Sequence, residues 1–215
     1  MPNIIDLTYF QNSNVLNIPL SVSAPVANAS MQTPNETTYL TDLITRVEKS
    51  ILVNALGLST YNTLQLAIED EFTNPIYAPY EKLVQGEEYD GNIWNGLDYE
   101  FSLIAFKVYE VFLTETNTRL AGVGTVQGSS EKSINVAPLY KIANASQAFL
   151  SGYQGGYMQY PNIYDIDGIE FIDYFGCNEE IEVSLHQYLF DKQADFENFD
   201  IAKFRTYEGQ NSFGI

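Results

Sequence analysis

The stretch with the strongest claim to chemistry is RLAGVGTVQGSSEKSINV, residues 119–136, where Gly122, Gly124 and Gly128 precede Lys132 and Ser133. A phosphate-binding loop needs a glycine, four residues, then Gly-Lys-Ser/Thr, because backbone N–H groups must curl round the phosphate with a lysine beside it. Counted from Gly122, the second glycine position holds Gln127; counted from Gly124, it holds Ser129. The dinucleotide pattern G-x-G-x-x-G fails at Gln127 as well. Both motifs also follow a strand, whereas this stretch follows a run that reads as a long helix.

Other reactive groups are sparse. His186 is the sole histidine, and Ser184 lies two residues away, which on a helix points it elsewhere. That removes a Ser-His-Asp arrangement. Cys177 is the sole cysteine and has no basic neighbour to stabilise a thiolate. Zinc takes about four Cys/His-type ligands, and these two residues do not supply them. Carboxylates gather at Asp165, Asp167, Glu170, Asp173, Glu179, Glu180 and Glu182. Two of them could form a glycosidase pair or hold calcium. However, DIDG lacks the third Asp or Asn that a calcium loop places before its glycine, and Asp167-Gly168 is accounted for by a turn. The expectation is a protein that is not an enzyme and uses no metal or cofactor.

Composition narrows the class. The chain has 215 residues, 45% hydrophobic and 14% aromatic, with 16 Tyr and 13 Phe against 10 Lys plus Arg. It folds round a sizeable core, and aromatics beyond the needs of that core suit protein–protein contacts. The net charge is -18. Duplex binding needs clustered cations to displace counterions, and here the cations are scattered singly from Arg46 to Arg205. An acidic wall does suit a conduit past which DNA slides, since it repels phosphate. A lone cysteine fits a reducing compartment. No Lys or Arg precedes Arg46, so the N-terminus lacks the basic region of a signal peptide. No apolar run approaches the roughly 20 residues of a membrane helix. The expectation is a soluble protein made in a cytoplasm.

The elements that would position these residues are mainly helical. Residues 1–32 show no helical period and read as an extended arm. Thr33, Pro34 and Glu36 make an N-cap, N1 proline and capping-box set. Leu40, Leu43, Ile44, Val47, Ile51, Ala55 and Leu56 follow on one face, and Gly57 stops the helix. Ser59 starts a shorter helix through Leu64, Ala67 and Ile68, ended by Asn74-Pro75. Pro79–Gln85 reads as a short helix closed by Gly86, and Asp90-Gly91 as a tight turn between Tyr89 and Ile93. The longest helix is expected from Leu97 to about Arg119; it is apolar on nearly every side from Phe101 to Leu113, as a central bundle helix should be. After a protruding loop at 121–134, Asn135 caps a helix with Leu139, Ile142, Ala143, Phe149 and Leu150 inside, ended at Gly152. Residues 162–175 read as a hairpin round Asp167-Gly168. Ser184 and Gln187 form a second capping box for a helix over 185 to about 197. Three parts follow: an arm (1–32), a helical bundle core (33–154) and a C-terminal extension (155–215). The fold class expected is mainly α.

The order of pieces carries a resemblance. An arm opening NIIDLTYF is followed by YLTDLITRVEKSILVNALG with LSTYNTL directly after, then YEKLVQGEEYDGNIWNGL, a long apolar helix, AGVGTVQGSSEKS, and an end at NSFGI. This resembles the head-to-tail connector (adaptor) proteins of tailed bacteriophages, including the crAss-like phages that infect Bacteroides. The likeness covers most of residues 36–154 and the two ends more loosely; residues 155–183 depart from it.

The resemblance implies a helical bundle whose copies form a ring, commonly of about twelve, at the head–tail junction of the virion. Such a ring sits beneath the portal protein, contacts other tail proteins and extends the DNA channel. It also implies that the loop between the two long helices and the chain ends make the contacts. In this chain those are Gly122, Val123, Gly124, Thr125, Val126, Gln127 and Gly128, continuing to Ser130, with Phe213 and Ile215. A glycine-rich loop between two firm helices is suited to order itself against a partner. The rival reading is a carbohydrate- or protein-binding module that presents Tyr153, Tyr157, Tyr160 and Tyr164 to a sugar.

Overall fold

Gly57 divides the longest described helix. α1 (Glu36–Glu69) runs for 34 residues, and its backbone leaves helical geometry at Gly57, with φ 76° and ψ 163°. A side chain would disfavour that conformation. The stop expected at Gly57 is therefore a break, after which the helix resumes at once. The computed structural model describes residues 3–11, 15–18, 36–121, 124–127, 139–155 and 181–207, with backbone alone at 36, 37, 116–121, 124–127 and 181. Thr33 and Pro34 lie outside these residues.

The protein is mainly helical, as its periodicity predicts. The first part of α1 buries Leu40, Leu43, Ile44, Val47, Ile51, Ala55 and Leu56, the stripe read from the sequence, and adds Leu52. The second part buries Tyr61, Leu64 and Ala67. α2 (Ala78–Gln85) ends at Gly86, whose N–H donates to the Lys82 carbonyl.

β1 (Glu87–Tyr89) and β2 (Asn92–Trp94) pair antiparallel. The turn between them has positive φ at both Asp90 and Gly91, which matches the twist of a tight hairpin. β5 (Ile181–Glu182) then pairs in parallel with β2. Trp94 anchors this corner. Its indole N–H donates to the Leu83 carbonyl at 2.9 Å, and its ring stacks on Tyr188 at 5.2 Å.

α3 (Leu103–Asn117) has 15 residues. It starts six residues later than the expected Leu97 and is shorter than α1. Ser102 sets the start: its hydroxyl accepts from the Ile104 N–H and donates to the Leu97 carbonyl. Phe101, expected inside, therefore lies outside the helix and is exposed. From Leu103 to Leu113 every apolar side chain is buried or half-buried, as a helix between α1 and the helix that follows it requires. α4 (Leu139–Gln154) runs through Gly152 and stops at Gly155. Gly152 is there for packing: a Cβ would sit 3.2 Å from Leu103 Cβ.

Of the segment read as an extended arm (1–32), residues 3–11 and 15–18 are described, and these are folded onto the bundle. Leu7–Phe10 forms one 3-10 turn capped by Asp6, and Ile5, Phe10, Leu16 and Ile18 are buried in the common core. A short amphipathic segment without a full helical repeat hides this from periodicity. At the other end, α5 (Leu185–Asp191) carries the Ser184 cap, but Gln187 turns its amide to Asp191 and leaves the box half made. α5 gives Leu185, Tyr188 and Leu189 to the same core. The helix expected to reach about 197 ends at Asp191, and a 3-10 turn follows at Gln193–Asp195. The hairpin expected at 162–175 lies outside the described residues.

Candidate protein-binding end of the bundle

α3 and α4 are antiparallel neighbours, since Gly152 near the end of α4 meets Leu103 at the start of α3. The end of α3 and the start of α4 therefore lie at one end of the bundle. The connection between them is where the sequence placed the candidate interface.

Its first piece is strand from Thr118, where the expected helix continues to about Arg119. β3 (Thr118–Ala121) pairs antiparallel with β4 (Gly124–Gln127), with Arg119 opposite Val126 and Ala121 opposite Gly124. The GTVQ run is thus a true strand, and its partner TRLA straddles the expected helix end at about Arg119 and the start of the expected loop at 121. The β-branched Thr118 and the following glycine were the available signal. Of the candidate residues, Gly124, Thr125, Val126 and Gln127 make up β4. Gly122, Val123, Gly128, Phe213 and Ile215 lie outside the described residues.

Below this hairpin the bundle is clamped. Glu115, near the end of α3, takes the Arg46 guanidinium of α1 at 2.7 Å and the Tyr39 hydroxyl. Burial pushes the Glu115 carboxyl up, but the Tyr39 and Arg46 contacts outweigh it and hold the group below its ordinary value. Burial, then the same carboxylate, pushes Tyr39 up to about 12. The pair fixes the base on which the hairpin stands.

Beside it, the first turn of α4 exposes Leu139 (61%) and Tyr140 (78%), with exposed Lys141 next to them. Sequence periodicity placed Leu139 inside; it sits in a turn that no described neighbour covers. A leucine and a tyrosine side by side in water are the kind of anchor that interfaces use.

Few of the reactive residues lie among those described. His186 lies edge-on to Phe204 at 4.8 Å. Cys177 and the carboxylates from Asp165 to Glu180 lie outside the described residues. Among the described residues no group of three or more His, Cys, Asp or Glu could hold a metal ion, and no helix is long and apolar enough to cross a membrane. Tyr153, offered above as a sugar platform, is fully buried. It stacks on Phe149 at 5.2 Å and donates to the Arg205 carbonyl at 2.9 Å. Tyr157, Tyr160 and Tyr164 lie outside the described residues.

Comparison with family models, with curated proteins and with solved structures gave no match.

Proposed function

We propose that this chain is a structural connector of a tailed-phage virion, a ring-forming subunit between portal and tail that extends the DNA channel. The observation that carries the reading is the hairpin. β3 and β4 form a two-stranded sheet that no other described strand extends. A two-stranded ribbon is marginal alone, and its open edges accept a further strand from another chain. Here it joins two closely packed helices beside the exposed Leu139 and Tyr140. The resemblance assigns subunit and portal contacts to this same connection. The net charge of -18 suits a wall past which phosphate must slide.

Light scattering behind a sizing column, over a wide concentration range, tests it. A closed species of about ten or more copies supports a ring. Deleting residues 122–130 should leave the helical circular dichroism intact and abolish that species. A deletion that assembles normally would remove the hairpin from the contact. A wild-type dimer at all concentrations would count against a ring.

A further inference from the structure

The charge of the chain is segregated in a way that its total conceals. Between residues 116 and 164 stand Arg119, Lys132 and Lys141 against Glu131 alone; every other carboxylate lies outside that span. The cationic span is the hairpin connection and α4. Lys141 makes no ion pair with any described residue, and it adjoins the exposed Leu139 and Tyr140.

A counterpart stands at the opposite end of α3. Asp98, Tyr99, Glu100 and Phe101 form one bend, all four exposed, Tyr99 by 41% and Phe101 by 43%. The two rings meet edge to face at 5.9 Å. The bend is held firmly: the Leu97 and Asp98 N–H groups donate to the Leu83 and Val84 carbonyls, Tyr9 donates its hydroxyl to the Asp98 carbonyl, and Ser102 closes back on Leu97. A preformed knob loses little freedom on binding. Thus one patch sets two exposed apolar side chains beside a cation that no described carboxylate pairs, and the other sets two aromatics beside two carboxylates.

The two patches cannot meet within one molecule. The 15 residues of α3 rise about 22 Å, and the patches sit at its two ends. We infer that the first turn of α4 docks on the Asp98–Phe101 bend of a second copy of this chain, so that copies associate head to tail. Apolar burial supplies the affinity, and Lys141 against Asp98 and Glu100 fixes the orientation. Such a contact is heterologous and repeats from copy to copy until it closes. The inference rests on the ring reading and gives it a specific interface.

The test uses the full chain in three forms: wild type, Tyr140→Glu, and the Tyr99→Ser, Phe101→Ser double variant. Each variant spoils one patch and leaves the other, at positions where solvent already reaches. By light scattering, wild type should exceed a dimer, and raising the salt should weaken it, since exposed charge pairs are screened. Each variant alone should be monomeric with unchanged circular dichroism. Their equimolar mixture should give a dimer and nothing larger, because one intact bend then meets one intact α4 turn. Lys141→Glu should lower assembly, and adding Asp98→Lys with Glu100→Lys should restore it. Variants that assemble as wild type does would overturn this contact and leave the ring reading standing. A mixture that stays monomeric would overturn it too. A wild-type chain that never associates would overturn the inference, while a ring templated by a portal would survive.

Discussion

Glu48, on the buried face of α1, accepts the backbone N–H of Ile4 on both of its carboxylate oxygens, at 3.0 and 3.1 Å. Its Oε2 takes the Ile5 N–H as well, at 3.3 Å. A carboxylate thus stands where a strand or helix partner would otherwise satisfy the start of the chain.

Burial pushes the Glu48 carboxyl up to about 7, and the Ile4 and Ile5 amides offset only part of that. Its folded value is above its unfolded one, so the native state binds the extra proton. Stability from this group is present below the ordinary carboxylate range and is lost as pH rises through about 7. The full difference is about 3 kcal/mol. Urea unfolding at pH 5 and at pH 8 should therefore show wild type gaining more from acid than Glu48→Gln does. Equal gains in the two proteins would show that Glu48 titrates normally.

Gly96 should tolerate no side chain. A Cβ there would sit 2.5 Å from the Val84 carbonyl oxygen and 2.6 Å from the Gln85 carbonyl carbon, both backbone, at φ +93°. Gly57 also has positive φ, but nothing lies within 4 Å of its Cβ position. Gly57→Ala should cost about 1 kcal/mol through backbone strain alone, and Gly96→Ala clearly more, because backbone must move as well. Denaturant midpoints that rank the two the other way would refute the packing at Gly96.

Tyr153 should hold residues 201–207 against the bundle. Its ring lies against Phe149, Phe204 and Tyr207, with centroids at 5.2, 4.7 and 5.1 Å. Tyr153→Ala should cost about 3–5 kcal/mol, as for other large buried aromatics, and should speed proteolytic cleavage within residues 201–207. Tyr153→Phe loses only the bond to the Arg205 carbonyl and should cost about 1 kcal/mol. A Phe variant as damaged as the Ala variant would shift the weight from packing to that bond.

What the sequence discloses follows from how local the cause is. Asp90-Gly91 announces its hairpin because the two turn residues alone satisfy the backbone it needs. The α1 stripe is legible because one face of one helix is buried throughout. The start of α3 is not, because apolar Leu97 and Phe101 continue the pattern while the stop is made by the Ser102 hydroxyl. β3 is hidden because a strand of four residues after a helix shows its period only against its partner. Burial of Ile5 depends on α1, where its partner Glu48 lies 43 residues away, and no short window along the chain contains both. The β character of Gly124–Gln127 was legible and the exposure of Leu139 and Tyr140 was not, since exposure is a property of neighbours and not of residue type.

The two end segments of the described chain grip the same helix. Glu48 holds Ile4 and Ile5, and Asn54, six residues on, takes the Arg205 N–H on its carbonyl and bonds the Tyr207 hydroxyl. Six residues of helix span about 9 Å. A pull applied through both segments would enter and leave the molecule across fewer than two turns of α1. The end of α4 shares that load, since Tyr153 donates to the Arg205 carbonyl and Gln154 bonds the Tyr207 backbone, while the hairpin between α3 and α4 stands outside the load path.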